Sequence, residues 1–137
     1  MQVSIGGSAL KVSTQVLRDE FGRSEAIRKL VFAHLDQYVN QISQRLICNS
    51  HHMMEERFCS WLLMIQDRTQ SHRLPLTQEQ IARFLGVHRP SVTRIAKNLR
   101  DQKIINYLRG KIVIQNRAGL AKAACGCHET IDAGFEM

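Results

Sequence analysis

The stretch "GVHRPSVTRIAKNLRDQ", residues 86–102, gathers side chains well suited to binding chemistry. Arg89, Arg94, Lys97 and Arg100 lie at helical spacings, with Asp101 as the single acid. A solvated helix usually alternates acids and bases so that they pair at i,i+4. Four cations with so little compensation imply a polyanionic partner. A guanidinium can grip guanine O6 and N7 with two hydrogen bonds, whereas a lysine serves better as a point charge against phosphate.

Two other stretches hold reactive types. "CNSHHMMEE" groups Cys48, His51, His52 and two glutamates, and "CGCH" groups Cys125, Cys127 and His128. Adjacent histidines on one helix point about 100° apart and cannot easily share an ion. Cys-x-Cys-His, taken alone, lacks a second pair at ligand spacing. These stretches read as a polar joint and as small thiols, with no metal and no cofactor expected. No Ser/His/Asp, Walker or dinucleotide pattern occurs, so no catalytic residues are expected. Four scattered cysteines do not make a disulfide framework, and no apolar run suits a membrane span or a signal peptide. The expectation is a cytoplasmic protein with no membrane partner.

Charge supports a polyanion. Residues 77–117 hold nine Lys/Arg against two Asp/Glu, so 9 − 2 gives +7. Residues 1–76 give 9 − 7 = +2, and residues 118–137 give 1 − 3 = −2. The whole excess sits in one segment, as expected for a nucleic-acid footprint.

The elements around that segment are mainly helical. "MQVSIGGSALKV" predicts an extended or strand piece, and "STQVLRDEF" a short helix capped by Ser13 or Thr14. From Ser24 a long helix is predicted to about Cys48, with Ile27, Val31, Leu35, Tyr38, Ile42 and Leu46 on its apolar stripe. About 25 residues span roughly 37 Å, more than a small domain needs, so the stripe is expected to pair with its copy in a homodimer. A helix at about 53–68 follows, then a loop stopped by Pro75. Thr77 and Gln80 form a capping box for a helix whose Ile81, Phe84 and Leu85 face inward and which ends at Gly86. The basic helix runs from about 89 to 101 and buries Val92, Ile95, Ala96 and Leu99. Pro90 suits a first turn but disfavours helical backbone at Arg89. "INYLRGKIVI" predicts a hairpin about Arg109-Gly110, "NRAGLAKAACGC" a short capped helix, and the last ten residues a loose tail.

Helix, short turn, basic helix and hairpin make the order of a winged helix-turn-helix. In that arrangement Arg89 and Arg94 reach base edges, and Lys97, Arg100 and Lys111 meet phosphates. "LTQEQIARFLGVHRPSVTRIAKNLRDQKII...RGKIVI" resembles the C-terminal DNA-binding domain of the Crp/Fnr transcription regulators, with the likeness extending over about residues 9–127. The resemblance implies that residues 1–23 end an effector domain, 24–50 form a dimerisation helix and 51–127 form the winged helix-turn-helix, with 128–137 as the tail. It implies base contacts from Arg89 and Arg94 and phosphate contacts from Thr77, His88 and Ser91. Double-stranded DNA is the implied partner of a homodimer on a palindromic operator, with RNA polymerase a candidate further partner. Two departures stand out. Pro90 replaces the family's glutamate, and at most one strand of the effector β-roll is present, so cyclic-nucleotide binding is not expected. The competing reading is a dimerisation module whose DNA binding is vestigial.

Overall fold

The computed structural model describes residues 8–108 and 110–133. Helix α1 (Thr14–Arg23) starts where Ser13 Oγ accepts from the Val16 N–H at 3.2 Å. Ser24 then caps α2 (Glu25–His51), accepting from the Ile27 N–H at 3.3 Å. Phe21 meets Phe32 edge to face, centroids 5.7 Å apart, and Arg28 donates to the Phe21 and Gly22 carbonyls, which docks α1 on α2. The extended piece before α1 forms no strand over residues 8–12; its first seven residues lie outside the described ones. A strand needs a neighbouring strand for its backbone groups, and none is placed beside it among the described residues.

At 27 residues, or roughly 40 Å, α2 outruns its expected end by three residues. It buries no residue along its length. The core lies beyond it, where α3 (Met54–Thr69) contributes fully buried Phe58 and Leu62. Helix α4 (Gln78–Leu85) opens on the expected box. The Thr77 hydroxyl accepts from the Gln80 N–H at 3.2 Å, while the Thr77 N–H donates to Gln80 Oε1 at 2.8 Å. Gly86 closes α4 at φ +68°, a left-handed geometry in which a β-carbon would be strained. Phe84 corrects the inward reading: it is 41% exposed, stacks on Trp61 at 4.5 Å and lies under the Arg45 guanidinium. It fills the junction with α2 rather than the core behind Ile81 and Leu85.

Helix α5 (Arg89–Asp101) buries Val92, Ile95, Ala96 and Leu99, as the spacing predicts. The pre-proline preference does not displace its start from Arg89, and the extended residue is His88, at φ −77° and ψ 140°. Strands β2 (Ile105–Leu108) and β3 (Lys111–Ile114) pair antiparallel with Leu108 opposite Lys111. That register leaves the two-residue turn expected; Gly110 sits at φ +78°, and Arg109 lies outside the described residues. The segment read as loop before Pro75 adds a third strand, β1 (Arg73–Leu74), on the other edge of β3. Two residues are too short to show alternation, which is why the sequence hid it.

The C-terminal end needs a second correction. Helix α6 (Arg117–Ala123), capped by Asn116, leads into α7 (Cys127–Ala133), where a loose tail is expected. The anchors are tertiary. Cys125 and Cys127 are buried, and Ser60 Oγ donates to the Cys125 carbonyl at 2.8 Å.

Candidate nucleic-acid interface

The buried stripe of α5 turns its other side outward, and that side carries the cations. Arg89, Arg94, Lys97 and Arg100 are exposed, as are Thr77 and His88, while Ser91 is half-buried. Arg94 and Lys97 lie near the centre of the outward side, whereas Arg89 and Arg100 lie along one flank. Arg100 reaches Asp101 at 3.5 Å, an exposed pair worth little to stability. Lys111 is exposed at the start of β3, beside the wing tip.

At the start of α5 the His88 ring makes no capping bond, and His88 and Arg89 are both exposed there, at the positive end of the helix dipole. Thr77 is more committed. Its hydroxyl and its N–H both donate to Gln80 Oε1, at 2.9 and 2.8 Å. A phosphate there would have to compete with the capping box.

Residues not singled out by the sequence hold this surface in shape. Thr93 donates to Gln78 Oε1 at 2.8 Å, and the Gln78 N–H donates to the Tyr107 hydroxyl at 3.1 Å, tying α5, α4 and β2 together. Asn98 donates to both Glu55 carboxylate oxygens, at 2.9 and 3.0 Å, which fixes α5 to α3. Arg57 donates to the Leu85 carbonyl at the end of α4. Such polar pairs have no periodic signal; only the fold brings them together.

On α2, Leu35, Tyr38, Ile42 and Leu46 are exposed, and Ile27 and Val31 are half-buried. Among the described residues, no element covers the stripe fully. Near its end, Cys48 and His52 meet Cys125 and Cys127, the four ligand atoms lying within 4.8 Å of one another. The two stretches read separately in the sequence thus converge, while His51 turns back to the Ile47 carbonyl. Burial, then the neighbouring Cys125 and Cys127, push the Cys48 thiol up to about 12.

Residues 56–123 match the Crp-like helix-turn-helix domain. Those residues form a Crp-like helix-turn-helix domain. The matched domain is that of DNA-binding transcription regulators, and it covers α4, α5 and the wing. Several solved structures share the fold. FixK2 from Bradyrhizobium japonicum aligns with TM-score 0.76 and 19% identity over 84% of this chain and 60% of its own. A Crp/Fnr transcriptional regulator from Eubacterium rectale gives TM-score 0.69 and 20% identity over 80% of this chain and 50% of its own. CprK complexed with OCPA gives TM-score 0.55 and 21% identity over 80% and 54%. The chain therefore spans about half to three-fifths of the length of these proteins. No curated protein sequence matches it. Among the described residues, no helix is long and apolar enough to cross a membrane.

Proposed function

We propose that the chain is a homodimeric, sequence-specific transcription regulator that binds a palindromic operator. One observation carries the reading: α5 buries its apolar stripe against the core and leaves Arg89, Arg94, Lys97 and Arg100 exposed, with Asp101 the only acid on the helix. With α5 in the major groove, Arg94 and Arg89 read base edges. Thr77, His88, Ser91, Lys97, Arg100 and Lys111 hold the phosphates that set its register. The exposed stripe of α2 supports pairing across a two-fold axis, which gives two α5 helices about 34–36 Å apart and so two half-sites. In this reading residues 1–23 close an effector domain, 24–50 dimerise, and the DNA-binding domain runs from 51 through α7. Such a regulator works where the chromosome is, in the cytoplasm.

Duplex binding across a salt series tests the reading. The logarithm of affinity should fall linearly with the logarithm of salt concentration, and Lys97→Ala and Lys111→Ala should each flatten the slope by about one phosphate. A salt-independent affinity, or no binding to any duplex, favours the dimerisation module instead.

A further inference from the structure

The convergence of two thiol-bearing stretches at the end of α2 is the feature that DNA binding does not use. Cys48 and His52 are one helical turn apart on α2, and so share a face, with His52 as the C-cap. Cys125 and Cys127 flank Gly126, where the chain turns from α6 into α7. The Cys48 and Cys125 sulphurs are 3.6 Å apart, and Cys127 Sγ lies 3.4 Å from His52 Nδ1. No pair among the four ligand atoms exceeds 4.8 Å. A tetrahedral ion with metal–sulphur bonds of about 2.3 Å and metal–nitrogen bonds of about 2.0–2.1 Å needs edges of about 3.8 Å between sulphurs and about 3.6 Å from sulphur to nitrogen. The two measured edges fall within about 0.2 Å of those lengths.

We propose that Cys48, His52, Cys125 and Cys127 form a Cys3His site for a single Zn2+ ion, which clamps the end of α2 to α7.

Three thiolates and an imidazole are the soft, borderline set that selects zinc over magnesium or calcium. As each metal–sulphur bond forms, the thiol releases its proton to solvent. Four protein ligands leave no open position for a substrate, so the site is structural. The surroundings are already organised for it. Gln44 Nε2 points a donor at Cys127 Sγ from 3.1 Å, and the Cys125 carbonyl is fixed by Ser60. Cys125 and Cys127 are buried, while Cys48 and His52 stay half-exposed and leave a route for the ion.

The full chain, purified reduced, should carry about one zinc per chain. Replacing zinc with Co2+ should give thiolate-to-metal charge transfer together with tetrahedral d–d bands. Cys48→Ser and Cys127→Ser should each weaken or abolish both. Cys59→Ser, at a buried thiol outside the set, should retain them. Should the serine variants misfold, His52→Cys keeps the question open to test, because a fourth thiolate should hold Co2+ and intensify the charge transfer. Reduced protein that retains no zinc overturns the site. So does a cobalt spectrum unchanged by Cys127→Ser and His52→Cys, an iron content in place of zinc, or a mass two protons low from a Cys48–Cys125 disulfide.

Discussion

Leu35→Ala should weaken the dimer about 30-fold while leaving each protomer folded. Leu35 is 49% exposed on α2, so about half of its side chain remains to be covered by a partner. Complete burial of a leucine is worth about 1.5–3 kcal/mol, which gives about 1 kcal/mol for that half. A two-fold axis counts the loss twice, or about 2 kcal/mol, and each 1.4 kcal/mol is about tenfold in Kd. The cost of association is common to both proteins and cancels in the comparison. Alanine is the best helix former, and Leu35 contributes nothing to the buried core, so the fold should hold. Leu35→Glu should go further, placing two carboxylates near the axis and leaving monomers. Sedimentation equilibrium measures both variants, and binding to a palindrome should fall with the dimer while half-site binding persists. An unchanged dimer constant for Leu35→Glu, or a monomeric unmutated chain, refutes the assignment of the stripe.

Arg89→Ala and Arg94→Ala should each cost about 1–3 kcal/mol per half-site on the preferred sequence and little on random duplex, read by competition binding. Lys111→Ala should weaken both kinds of DNA alike and flatten the salt slope. Pro90 can accept nothing from a base through its side chain, whereas Pro90→Glu supplies an acceptor for cytosine N4, so selection on that variant should narrow the base preference at one position towards C·G, by about 1–3 kcal/mol per mismatch; identical preferred sites would show that residue 90 does not face the bases. Gly119→Ala places a methyl 2.8 Å from Asn116 Nδ2 and 3.0 Å from its Cγ, which forces that side chain off the Gly119 N–H it caps. Loss of the cap should cost about 0.5–2 kcal/mol in a urea denaturation midpoint, and an unshifted midpoint would place Asn116 outside the cap's energetics.

The helix-turn-helix was legible because its signals are local. Thr77 with Gln80, Gly86, and the 92–95–96–99 stripe each declare an element within a few residues, and all three stand as read. What failed was what depends on distant partners. Phe84 carries the same apolar type as Ile81 and Leu85, and only the position of Trp61 and Arg45 shows that it lies at a junction rather than in the core. Helix α7 forms where the local pattern is weak, because Ser60 and the buried Cys125 hold its start. Cys48 and Cys125 stand 77 positions apart, so no spacing rule joins them. The outward cations were readable as a surface, whereas the bonds that orient it, Thr93 to Gln78 and Asn98 to Glu55, were not.

Selection from a random duplex pool, run side by side on the unmutated chain and on Arg94→Ala, tests most directly whether α5 reads sequence. The account predicts enrichment of two inverted half-sites about one helical turn apart, with guanine preferences of which one vanishes in Arg94→Ala. A pool that does not enrich, or the same preferred sequence from both proteins, would contradict it.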